Sequence, residues 1–165
     1  MRCWGQALGV FAAVAGGALM PAGRAGAGTS PSQTLPAGMK ADRVLFLGNS
    51  ITLHGPAPHI GWSGNWGMAA SGLEQDYVHL LLQRLSAATG KKPDAMVENI
   101  AEFERNYATY DIAAALKKQL EFRADLVVVA IGENVPAIAS EEAKGKFRDA
   151  VTKLLGELKK AGCPA

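Results

Sequence analysis

From Arg43 onward the chain alternates short apolar runs with longer segments in which apolar residues recur every three to four positions. Val44-Leu45-Phe46-Leu47 is continuous apolar sequence that stops at Gly48-Asn49-Ser50, the pattern of a buried strand ending in a tight turn, and predicts a strand over 43–47. Residues 95–99 predict a second, shorter strand. Val127-Val128-Val129-Ala130-Ile131 lacks polar alternation, so a third strand over 126–131 is expected to bury both faces, as in a parallel sheet covered by helices. Tyr77, Leu81, Leu85 and Ala88 share one face of a helix predicted over 73–89, with Gly90 placed for a left-handed cap. Ile112, Leu116 and Leu120 mark a second helix capped by Asp111. Phe147, Val151, Leu154 and Leu158 mark a third, capped by Ser140 and ended by Gly162 and Pro164. Phe103, Tyr107 and Tyr110, also at helical intervals, are expected in the core. The long loop from Thr52 to Gly72 is expected to carry one helical turn over 65–70.

Strands alternating with helices imply an α/β fold, doubly wound, with a parallel sheet and right-handed crossovers. The last helix would ordinarily feed a fourth strand. None follows it, so the expectation is the N-terminal portion of a longer domain, with three strands present, rather than an unusually minimal α/β layer.

Composition adds limits. The 165 residues suffice for one domain with a hydrophobic core, and the hydrophobic and charged fractions, 48% and 19%, are those of a globular protein carrying an apolar leader. A net charge of +2 and the absence of a basic patch interleaved with aromatics give no electrostatic case for nucleic acid. Arg2, the uncharged apolar stretch from Ala7 to Met20, itself too short to span a bilayer comfortably, and the small residues through Ala27 predict an export signal over 1–27. A linker over 28–41 and a domain over 42–165 follow, with a secreted or periplasmic product and no stable membrane span after cleavage. Removing the leader takes Cys3 and leaves Cys163 without a disulfide partner. No Cys/His pair has metal-ligand spacing, and neither a metal nor an organic cofactor is implied.

Parallel strands end on one side of a sheet, and that rim is where α/β proteins bind ligands. Strand one delivers Ser50 there, strand two Glu98-Asn99-Ile100-Ala101, and strand three Gly132-Glu133-Asn134. A hydroxyl, a side-chain amide and backbone N–H groups are the parts of an acyl-transfer site: the serine attacks a carbonyl carbon, and fixed donors hold the charge that develops on its oxygen. Glu102 and Glu104, near Arg105 in sequence, read as a solvated charge cluster. Trp62 and Trp66, in the loop after Ser50, either line a substrate subsite for an acyl group or sugar ring or seal the loop onto the domain. His54 and His59 lie in the same loop, and His79 lies within the first helix. The longer glycine loop and lysine of a phosphate-binding P-loop are missing.

Gly48-Asn49-Ser50 after a buried strand, with Gly132-Glu133-Asn134 after a later one, resembles the SGNH (GDSL-type) hydrolase family over about residue 42 to the end. The resemblance implies a flavodoxin-like three-layer α/β/α fold and an esterase, lipase or carbohydrate deacetylase acting on an acyl or acetyl ester of a carbohydrate or lipid. Ser50 would be nucleophile and backbone oxyanion donor, Asn134 the side-chain donor and Ala101 a further backbone donor. The chain departs from the family pattern at Asn49, where the family usually has Asp, and at Ala101, where it has Gly. The family's Asp-x-x-His block has no counterpart after Asn134. A serine without a base is a weak nucleophile, so the chain as it stands is expected to have little activity. The alternative is a non-catalytic α/β module that binds a glycan or other ligand.

Overall fold

The computed structural model describes Leu35, Pro36 and residues 38–163, so the predicted leader over 1–27 lies outside the described residues. Three strands, β1 (Arg43–Gly48), β2 (Asp94–Asn99) and β3 (Leu126–Ala130), form an all-parallel sheet in the order β2-β1-β3. Gly48 lies in register with Asn99 on one side and Ala130 on the other, which aligns the three carboxyl ends at one rim.

The alternating side-chain directions of β1 divide its apolar run between two cores. Val44 and Phe46 pack with Val78 and Leu85 of α1 (Tyr77–Thr89). Leu45 and Leu47 face the opposite way. They pack with Phe103 of α2 (Ala101–Arg105), Ile112 of α3 (Ile112–Ala115), Phe122, which follows α4 (Lys117–Glu121), and Leu154 and Leu158 of α5 (Glu141–Lys160). Helices therefore cover both faces. Residues 44–47 of β1 are fully buried, each apolar side chain contributing roughly 1.5–3 kcal/mol.

The α/β expectation holds, with local corrections. The prediction of a β3 buried on both faces does not: all five of its residues are half-buried. It is an edge strand, pairing only with β1 among the described residues, and β1 is the strand that is enclosed. The first helix begins later than the sequence suggests, because Asp76 leaves the helical region and caps α1, ending a separate 3₁₀ turn at Leu73–Gln75. Gly90, at φ 71°, closes α1 in the expected left-handed conformation. The Ile112-Leu116-Leu120 helix is two short helices joined at Leu116, with Asp111 accepting from the Ala114 N–H at 3.1 Å. The helical turn expected at 65–70 is instead at Pro58–Ile60. Phe103 is fully buried and Tyr107 and Tyr110 pack against the same core, although only Phe103 lies on α2. Cys163 is free and buried, and burial pushes its thiol above the usual range. Among the described residues no helix is long and apolar enough to cross a membrane.

Candidate functional site

The turn after β1 is held by the side chain of its own second residue. Asn49 is buried. Its Oδ1 accepts the Ile51 N–H at 3.0 Å, and its backbone carbonyl accepts the N–H groups of Thr52 and Leu53 at 2.9 and 3.0 Å. Side-chain acceptance two residues on is how Asn nucleates a turn. Ser50, held between these bonds, is half-exposed, and its carbonyl accepts the Met68 N–H at 2.8 Å. Neither its N–H nor its hydroxyl donates to a protein group among the described residues. Both are therefore available at the rim.

The turn after β3 converges on the same place. Asn49 Nδ2 donates to Glu133 and, at 3.4 Å, to Glu104. Glu104 also accepts the Gly132 N–H and, at 2.7 Å, Asn134 Nδ2. Gly132 has φ 141°, backbone that favours glycine, and this conformation aims its N–H at the carboxylate. The Ser50 and Asn134 turns, more than 80 residues apart, are thus tied through one buried carboxylate and one buried carboxamide.

Glu104 corrects the sequence expectation of a solvated charge cluster, because it is fully buried while Glu102 and Arg105 are exposed. Ile100, Phe103 and Glu104 stand at i, i+3 and i+4, on one helical face, and that spacing was the available signal. The intervening Glu102 and following Arg105 obscure it. Burying a carboxylate is costly unless it is hydrogen-bonded, and the three N–H donors around Glu104 meet that need.

The second strand end contributes differently. Asn99 Oδ1 accepts the Ala101 N–H at 3.0 Å, and Asn99 Nδ2 donates to the Leu53 carbonyl at 2.8 Å. Asn99 thereby fastens the loop after Ser50 to the end of β2. The Ala101 amide, expected as an oxyanion donor, is already engaged by Asn99.

The loop from Thr52 to Gly72 closes on itself. Trp62 and Trp66 meet edge to face, their ring centres 5.3 Å apart, and both are half-buried. Trp62 Nε1 donates to the His54 carbonyl and Trp66 Nε1 to the Ala70 carbonyl, both at 3.1 Å. Isolated bridges pair His54 with Trp66 and Ala57 with Trp62. Both indoles thus seal the loop while remaining half-buried.

The foot of this loop is anchored by Asp76. Its buried carboxylate accepts the His79 N–H and His79 Nδ1, each at 2.7 Å, and the Gly67 N–H at 3.3 Å. Next to it, the Tyr77 hydroxyl bonds Thr52 Oγ1 at 2.7 Å. Burial holds the Tyr77 phenol above its ordinary range. The Thr52 hydrogen bond opposes that rise, while the Asp76 and Glu133 carboxylates reinforce it. Asp76→Ala removes a helix cap and strands donors from two elements, so a loss of about 2 kcal/mol is expected in urea unfolding, with Asp76→Asn losing less.

His54 Nδ1 bonds the Gly55 carbonyl at 2.6 Å and His79 bonds Asp76, while His59 is exposed on the 3₁₀ turn. None of the three is hydrogen-bonded to Ser50. No protein-family model, curated protein or solved structure matches the chain.

Proposed function

We propose that this rim is the acyl-transfer site of a serine esterase of the SGNH type, acting on an acyl or acetyl ester of a carbohydrate or lipid. The observation that carries the reading is the tethering of the Ser50 turn to the Asn134 turn through Asn49 and Glu104. Ser50 Oγ would attack the ester carbonyl carbon, giving a tetrahedral intermediate whose oxyanion meets the Ser50 N–H and the free N–H of the Asn134 carboxamide. Collapse would break the ester C–O bond, release the alcohol with the serine's proton, and leave an acyl-Ser50 for water to hydrolyse. Each well-aimed donor of this kind typically supplies about 3 kcal/mol of transition-state stabilisation. Trp62 and Trp66, both half-buried in the loop that follows Ser50, would border the acyl group or the sugar. On the apolar leader of residues 1–27 we take the protein to be exported, secreted or periplasmic.

A general base ordinarily contributes a factor of about 10² to 10⁴; His54 and His79 are bonded elsewhere and the exposed His59 is not hydrogen-bonded to Ser50, so the reading requires slow chemistry from this arrangement. Incubation with a fluorophosphonate, followed by mass mapping of the adduct, tests it. Ser50 is expected to label slowly, free imidazole to accelerate labelling by supplying a base, and Ser50→Ala to label not at all. An adduct that persists in Ser50→Ala would exclude Ser50 as nucleophile.

The lack of a histidine bonded to Ser50 is also what favours the second reading, a binding module that keeps the rim without the chemistry. Saturable binding of an acylated glycan, with Ser50 unlabelled even in imidazole, would select it.

A further inference from the structure

We propose that Glu104 is a positioning residue for the oxyanion site, acting with its neighbour Arg105 to fix which way the Asn134 carboxamide points. The inference rests on the acyl-transfer reading for its catalytic meaning, but the clamp itself is a property of the fold.

A carboxamide is nearly symmetric in shape, and its two senses differ only in where the N–H₂ and the carbonyl lie. Two consecutive residues at the end of α2 break that symmetry. Glu104, as a carboxylate, only accepts, and it takes one Asn134 Nδ2 proton at 2.7 Å. Arg105, which only donates, delivers an Nη2 proton to Asn134 Oδ1 at 3.2 Å. Flipping the amide would set its oxygen against a carboxylate and its N–H₂ against a guanidinium, losing both bonds at once. In the observed sense Nδ2 keeps one proton uncommitted, and that proton is the one an oxyanion would use.

The same carboxylate fixes the rest of the rim. Glu104 is fully buried and also takes the Gly132 N–H and the Asn49 amide, so the Asn134 turn and the Ser50 turn are referred to one rigid point. Arg105 is more than half exposed, with Glu102 Oε2 at 3.8 Å, and supplies only the outer half of the clamp. The burial asymmetry assigns positional control to Glu104. A misplacement of about 1 Å in such a site typically costs on the order of 10²-fold in rate.

The test measures side-chain amide NMR of Asn134 and imidazole-assisted phosphonylation of Ser50 in parallel, on the full chain and on E104Q. In the unmodified chain the Asn134 Nδ2 group should be as ordered as rigid backbone, with an order parameter of about 0.85; a value below about 0.6 would overturn the clamp without any variant. In folded E104Q the Asn134 side-chain resonances should shift and lose order. The maximal labelling rate should fall by about 10²-fold, with little change in the probe concentration giving half-maximal rate. Unchanged Asn134 resonances in E104Q overturn the proposal. Should E104Q fail to fold, the order parameter of the unmodified chain decides. If Ser50 does not label even in the unmodified chain while the Asn134 resonances respond to E104Q, the acyl-transfer reading fails and the clamp stands.

Discussion

Asn49→Asp is expected to destabilise the protein by roughly 3–5 kcal/mol, a large share of the 5–15 kcal/mol that holds a typical domain folded. The side chains are nearly the same size, so packing is not the cause. Asn49 Nδ2 donates to both Glu104 and Glu133, and an aspartate at this place has no N–H to give. It would add a third carboxylate where Glu104 is wholly excluded from solvent. The local physical reason for an amide at position 49 is that the chain places carboxylates on two sides of it, and an amide is what fits between them.

The sign of the pH dependence follows. An aspartate introduced at position 49, beside two carboxylates, has its folded-state pKa raised above its unfolded one by like-charge repulsion, so the folded variant binds more protons than the unfolded one. The penalty of Asn49→Asp should therefore shrink as pH falls through the raised pKa and be largest at neutral pH and above. Urea unfolding across that range, with Asn49→Ala as the control that removes donors without adding charge, separates charge from lost hydrogen bonds. Alanine should cost about 1–2 kcal/mol and show no comparable relief in acid. An aspartate variant within about 1 kcal/mol of the parent at neutral pH would refute the account of this turn.

The strands and the face-sharing residues of α1 and α5 were legible because burial and periodicity coincide there. Val44 to Leu47 must be enclosed, and Leu154 and Leu158 fall where the helical repeat puts them. The burial of β3 was misjudged for a physical reason: an apolar run states that a strand avoids water, not how many neighbours it has. Val127 to Val129 look as apolar in sequence as β1 does, yet lie at the sheet edge. Ser50 and Asn134 could be located because strand ends share a rim. The spacing of Ile100, Phe103 and Glu104 signals a shared face but not the role of Glu104, since the donors that make its burial tolerable come from positions 49, 132 and 134, and only the folded chain brings them together. The break at Asp76 was likewise hidden. Its side chain is held by Gly67 as well as by His79, so loop and helix fix each other.

That mutual dependence makes Gly67→Ala the second substitution of large expected effect. A Cβ at Gly67 would meet the Ile51 carbonyl carbon at 3.0 Å and the carbonyl oxygen closer still. The obstacle is backbone and cannot swing aside as a side-chain tip would. Nor can Ile51 retreat freely, because its N–H is bound to Asn49 Oδ1 and the adjoining Ser50 carbonyl holds Met68. The loop must therefore lift, stretching the Gly67–Asp76 and Met68–Ser50 bonds together. A loss of about 3 kcal/mol in urea unfolding is expected, at the upper end of typical overpacking costs. Gly72→Ala, with open space at its Cβ position, should be close to neutral. Hydrogen exchange locates the effect: the Met68 amide should exchange much faster in Gly67→Ala, while amides of β1 keep their protection relative to global stability. Protection retained at Met68 would mean that the loop can absorb a methyl group without releasing the Ser50 turn. The close approach at Gly67 would then have no part in holding the serine at the rim.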